Sequence, residues 1–165
     1  MIGMEPGRNR FLVREWRPSD RRRQDAFLQR LDREDLRMRF GLVRRPPELL
    51  VPAFTAARPG AAFAALDSGR ALLGIATLIA IDGASAELAV IVRSDRKRRG
   101  LGRALIAYAL CWAARHGLAC VVGYVLAENH PMLALARAMD FRCVRNDPFL
   151  VEVSRPSGCR SEEAP

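Results

Sequence analysis

Residues 61–93 hold three apolar, β-prone segments in a row: AAFAALD (61–67), RALLGIATLIAID (70–82) and SAELAVIVR (85–93). The turn dipeptides Ser68-Gly69 and Asp82-Gly83 separate them, and segments so punctuated favour an antiparallel meander. The last strand of the meander runs straight into DRKRRGLGRAL (95–105), where four basic residues precede Gly-Leu-Gly. A helix is predicted over 101–116, because Leu101, Ala104, Leu105, Tyr108, Cys111 and Trp112 fall at i, i+3 and i+4 spacing. Gly117 suits the left-handed position that ends such a helix.

The flanking segments complete an α/β pattern. RFLVREW (10–16) alternates as a strand does. In RPSDRRRQDAFLQRLD (17–32), Ser19 or Asp20 is placed to cap a helix on which Phe27, Leu28 and Leu31 share a face. REDLRMRFG (33–41) reads as a second short helix ending at Gly41, and RRPPELLVPAF (44–54) as a proline-broken loop. LACVVGYVL (118–126) is continuously apolar, which predicts a strand buried on both faces. NHPMLALARAM (129–139) reads as a helix with Asn129 as cap and Pro131 in its first turn. FRCVRN and PFLVEVSRP (141–156) suggest a closing hairpin. The strands before and after the 101–116 helix should form the parallel pair.

The chain of 165 residues is expected to be one domain. It divides into an N-terminal tail (1–9), a folded domain (10–153) and a polar C-terminal tail (154–165). No run of apolar residues is long enough for a membrane span. MIGMEPGRNRF lacks the apolar region of a secretory signal, so a cytoplasmic location is expected. Cys111, Cys120, Cys143 and Cys159 form no C-x-x-C pair, and His116 and His130 do not stand at ligand spacing, so thiols are expected and no metal site. The net charge is +9, and Lys97 is the only lysine. Such a charge suits nucleic acid, a membrane or an anionic small ligand. No helix-turn-helix, zinc-finger or base-stacking signature is present, so no specific nucleic-acid partner and no membrane partner is expected.

The turn at 97–103 has the chemistry of an anion site. The first N–H groups of a helix lack internal partners, and the helix dipole adds positive charge there. Gly100 and Gly102 let an oxyanion approach the backbone, and Lys97, Arg98, Arg99 and Arg103 surround it with cations. The stretch is not a Walker A loop, since no Gly-Lys-Ser/Thr follows. Nor is it a dinucleotide fingerprint, since Leu105 stands where the third glycine is required.

AELAVIVRSDRKRRGLGRALIAYAL resembles motif A of the GNAT superfamily of N-acetyltransferases, written Q/R-x-x-G-x-G/A and here Lys97 through Gly102. VLAENHPMLALARAMDF is similar to motif B of the same superfamily. SDRKRRGLG, REDLRMRF and the motif B segment resemble more narrowly the acetyltransferase domain of bacterial Pat-type protein lysine acetyltransferases. The resemblance covers about residues 10–153. It implies a GNAT-like single domain: a mixed, mostly antiparallel sheet of about seven strands, a central parallel pair splayed apart, and about four flanking helices. It implies acetyl-CoA as co-substrate. Its pyrophosphate would lie on the N–H groups of 98–103, and its pantetheine would pair with backbone groups of Val90 and Val92. Asn129 would bond the pantetheine arm or the region of the thiol.

The chain departs from the pattern in three places. Lys97 replaces Gln or Arg. Ala136 stands where many relatives carry a Tyr acid, and Tyr124, His130 and Arg137 are the polar groups nearby. Asp140 replaces a glycine at a site that often needs positive φ, which Asp tolerates.

An ammonium is no nucleophile, so a base must take its proton. Glu87 is the candidate catalytic base: it is the one polar residue in 86–92, and the resemblance places the base there. Burial among its neighbours is expected to raise its pKa. Val90 N–H would hold the oxyanion. Glu128 and Cys120 are weaker alternatives. The expected function is acetyl transfer to protein lysine side chains, with a small amine as the alternative acceptor and a non-catalytic acetyl-CoA sensor as a further one. A monomer or a homodimer fits the sequence.

Overall fold

The computed structural model describes residues 11–40, 50–57 and 59–157. The expectations for Gly41, Cys159, most of the 44–54 loop and the outer parts of both tails lie outside these residues. A seven-stranded sheet has the order β1-β2-β3-β4-β5-β7-β6. The strands are β1 (Phe11–Glu15), β2 (Gly60–Asp67), β3 (Leu72–Ala80), β4 (Ser85–Val92), β5 (Cys120–Leu126), β6 (Arg142–Arg145) and β7 (Leu150–Pro156). The helices are α1 (Arg21–Leu28), α2 (Arg33–Phe40), α3 (Leu101–Arg115) and α4 (His130–Ala138).

The meander forms as its turns require. Asp67 Oδ1 accepts from Ala71 N at 2.8 Å, and Asp82 Oδ1 accepts from Ala84 N and Ser85 N at 2.8 and 2.7 Å. These bonds close the turns through near neighbours in the chain and so fix the register of the hairpins locally. Every neighbouring pair is antiparallel except β4 and β5, which run parallel. That pairing lasts only from Ser85↔Cys120 to Glu87↔Val122. Beyond it the two strands part.

Two apolar layers cover the sheet. Leu101, Leu105, Ile106 and Leu110 of α3 pack with Phe63, Leu88, Val121 and Val125 on one face. Phe27, Leu28 and Leu36 from α1 and α2 pack with Leu66, Ile75 and Ile91 on the other. Gly74 admits α3 onto the sheet, since a Cβ there would stand 2.9 Å from Leu105 Cδ1.

Three expectations change. Strand β5 is not buried on both faces: Val121, Gly123 and Val125 are buried, whereas Tyr124 is 53% exposed. The reason is the parting of β4 and β5, which opens one face of β5 to a cleft. Asp20 does not cap α1 through its side chain. It is fully buried below a 3-10 turn at Pro18–Asp20 and accepts from Arg17 N, both outer nitrogens of Arg14, and Arg23. Burial pushes its carboxyl up, but the bonds from Arg14 and Arg17 N and the charges of Arg14 and Arg23 outweigh burial and hold it below its ordinary value. Finally, β7 runs past residue 153, because its register with β5 continues to Cys120↔Pro156.

Gly117 and Asp140 adopt the positive φ expected of them, 76° and 59°. Cys120 and Cys143 are free thiols, whereas Cys111 is disulfide-bonded, against the expectation of thiols throughout. Among the described residues no helix is long and apolar enough to cross a membrane.

Candidate active site

The parting of β4 and β5 opens a cavity of about 1040 Å³ that reaches from the 97–103 turn to the β6–β7 hairpin. Arg93 N donates to Leu73 O of β3. Backbone groups alternate along a strand, so the N–H and C=O of Leu88, Val90 and Val92 point the other way, toward β5. The ladder with β5 ends at Glu87↔Val122, which Leu88 still helps to form, so Val90 and Val92 lie beyond its last pair. Val90 and Val92 therefore present unpaired strand edge to the cavity. Gly123 lies opposite: a Cβ there would stand 3.2 Å from Leu88 O, so a side chain would close the wedge at its apex.

At one end of the wedge, Gly100 caps α3 at φ 79° with no side-chain hydrogen bond to the helix. Arg98 is also left-handed, at φ 58°. The first intrahelical bond is Ala104 N to Gly100 O at 2.9 Å. The N–H groups ahead of it are therefore free for an anion, which the dipole of a helix this long also attracts. Lys97, Arg98, Gly100, Gly102 and Arg103 line the cavity here, and Arg99 does not. Arg103 donates to Ala138 O at 3.3 Å. Lys97 is ion-paired with Asp35 of α2. Asp35 also accepts from Ser94 Oγ, and Ser94 Oγ accepts from Asp32 N, so α2 is tied to the basic turn.

Glu87 and Asn129 line the middle of the cavity. Glu87 is half-buried on the face of β4 that α2 covers. Asn129 Oδ1 caps α4 by accepting from Met132 N at 3.2 Å, which leaves its amide nitrogen for a second partner. Of the alternatives, Cys120 does not line the cavity, and neither does Glu128, which pairs with Arg37. Ala136 is buried at the cavity wall. Among the three polar groups considered near it, Tyr124 lines the cavity, whereas His130 and Arg137 do not.

The far end holds groups that the sequence did not single out. Arg39 and Phe40 arrive from α2, and Phe149, 75% exposed, from the turn before β7. Asp147 Oδ1 orders that turn by accepting from Phe149 N and Leu150 N at 2.7 and 2.8 Å. The one signal for Arg39 was its place beside Phe40 at the end of α2.

This geometry agrees with three comparisons. The family model described as acetyltransferase (GNAT) family matches residues 17–141. A mycothiol acetyltransferase of Clavibacter michiganensis subsp. michiganensis (strain NCPPB 382) is 48% identical over 63 residues, which are 38% of this chain and 21% of that protein. The chain thus spans about a fifth of the length of that curated relative. Among solved structures, the GNAT domain of S. lividans PAT superposes with a TM-score of 0.77 at 19% identity, over 87% of this chain and 89% of that one. Spermidine N-acetyltransferase from Vibrio cholerae, solved with CoA and spermine, gives 0.69 at 17% identity, over 89% and 95%. At these identities the structural likeness establishes the fold.

Proposed function

Because the chain belongs to the acetyltransferase (GNAT) family, we propose that it transfers the acetyl group of acetyl-CoA to the side-chain amine of a protein lysine. The carrying observation is the open edge of β4: it lies between a helix terminus free for an anion and a carboxylate, Glu87, at mid-cavity. The residues present fit the co-substrate. The N–H groups at the start of α3, with Lys97, Arg98 and Arg103, would hold the pyrophosphate. Gly100 supplies the turn, Gly102 leaves room for Leu135 of α4 against the start of α3, and Arg99 adds charge from outside the cavity. Val90 and Val92 offer strand-like hydrogen bonds to the amides of the pantetheine, and the Asn129 amide nitrogen offers another.

Glu87 acts as general base and takes the proton that blocks attack by the amine. Val90 N–H hydrogen-bonds the thioester oxygen as charge grows there. The new N–C bond forms as the C–S bond breaks, the nitrogen sheds its second proton, and the departing thiolate takes one up. A thiol pKa near ~8.5 makes that departure easy without a strong acid at Ala136.

Support for a polypeptide acceptor comes from the rim. Tyr124 and Phe149 are exposed there, and an open apolar rim admits a chain as well as a small amine. Labelled acetyl-CoA incubated with cell lysate should put label into acid-precipitable protein, and Glu87→Gln should abolish it. Label only in the soluble fraction would give the reaction to a small amine. Intact cofactor binding without any transfer would leave a sensor.

A smaller effect is expected at the basic turn. Asp35→Asn releases Lys97 for the pyrophosphate, and acetyl-CoA should bind about two- to fivefold more tightly at low salt, in line with a partly exposed ion pair. Calorimetry at two salt concentrations checks it. An unchanged Kd at low salt would remove Lys97 from the binding site.

A further inference from the structure

We infer that the acceptor end of the cavity recognises an amine with a carboxylate beside it, and that Arg39 reads the carboxylate. The inference rests on the acetyl-transfer reading above and sharpens its acceptor. Arg39 stands in the last turn of α2 and lines the cavity together with Glu87. Its guanidinium carbon lies 4.7 Å from the centre of the Phe40 ring. That stacking limits where the planar group can turn. Burial pulls its pKa below the ordinary value and the Glu87 carboxylate opposes the pull. An arginine remains cationic throughout the physiological range regardless.

Two other cations beside α2 are committed. Arg37 pairs with Glu34 and Glu128, and Lys97 with Asp35. Among the described residues, no carboxylate lies within ion-pair distance of Arg39. A half-buried guanidinium with no ion-paired carboxylate has its desolvation only partly offset, here by the Glu87 charge. Its forked donors match a carboxylate in two parallel hydrogen bonds. Glu87 is near enough to be felt and does not bond it.

The cavity thus carries both a carboxylate, Glu87, and a guanidinium, Arg39, on a largely apolar lining. The complement is an acceptor whose ammonium faces Glu87 and whose carboxylate faces Arg39. A polyamine, cationic along its length, meets repulsion at Arg39 instead. The carboxylate has two sources with the same chemistry: an acidic side chain next to the lysine of a polypeptide, or the α-carboxylate of a free amino acid.

The test uses the full chain, acetyl-CoA and a thiol readout of CoA release, with two matched acceptor pairs. One pair is a lysine peptide with Asp or Asn beside the lysine. The other is free lysine and its decarboxylated counterpart, 1,5-diaminopentane. The carboxylate member of at least one pair should show kcat/KM about tenfold higher, as a charge-assisted bidentate contact provides. Arg39→Gln should bring that ratio to about one, and Arg39→Lys should keep part of it. A preference in the peptide pair alone marks a protein acceptor. A preference in the amino-acid pair alone keeps this inference and overturns the protein-lysine reading. Equal rates in wild type, or a ratio that survives Arg39→Gln, overturn the inference and leave acetyl transfer intact. A variant that slows both members equally shows that Arg39 only supports α2, and also overturns it. No acceptance in either pair above background hydrolysis overturns both readings together.

Discussion

Glu87→Gln is expected to lower kcat by about 10²- to 10⁴-fold, the usual contribution of a general base, while acetyl-CoA binds as before. Gln has nearly the shape of Glu and cannot take a proton. The cofactor contacts proposed for β4 are backbone groups at Val90 and Val92, which this change leaves alone. The loss should also depend on pH in a specific way. Without a base, only the fraction of acceptor that has already lost its proton can attack. The variant's rate should therefore climb about tenfold per pH unit until it nears the lysine pKa of ~10.4. Steady-state rates from pH 7 to 10, beside calorimetric binding of acetyl-CoA, check both statements. A variant that turns over normally at pH 7 would remove Glu87 as base. One that loses cofactor affinity would make it a structural residue.

Asp20→Ala is expected to cost about 3–5 kcal/mol of stability, the range for breaking a buried ion pair from one side. The carboxylate is fully buried and holds Arg14 of β1 at 2.7 and 2.8 Å, Arg23 of α1 at 3.1 Å and Arg17 N at 2.8 Å. Its loss leaves the Arg14 guanidinium, 17% exposed, without its partner. For a chain of this size the melting temperature should fall by roughly 6–20 °C. The carboxyl is held below its ordinary value in the fold. Its contribution is therefore complete above the unfolded carboxylate range near ~4, and it is lost as pH falls through the lower folded value. The stability gap between wild type and Asp20→Asn should be constant from pH 6 to 8 and close on acidification below about 4. Thermal melts across that range check it. A gap that stayed open in acid would mean that packing, not charge, gives Asp20 its role.

Much of this molecule was legible in its sequence. The meander could be read because Asp67 and Asp82 close their turns through neighbours two to four residues away. The 101–116 helix could be read from its periodic face, and its start from the glycines at 100 and 102. These are short-range rules, and they act before tertiary contacts form. The same rules failed for Asp20: its position looked like a helix cap, but Arg14 and Arg23 drew the carboxylate into a buried network. They failed for β5 as well, where apolar composition suggested two covered faces.

The sequence by itself determined the elements, the parallel crossover and the Gly-rich basic turn ahead of α3, because spacing along the chain encodes each of them. Only the tertiary structure decided how far β4 and β5 stay paired, and so which backbone edge is left open. It also brought Arg39, Tyr124 and Phe149 to one rim from segments far apart in the chain. No local pattern marks such a meeting, because it depends on where three packed elements end in space.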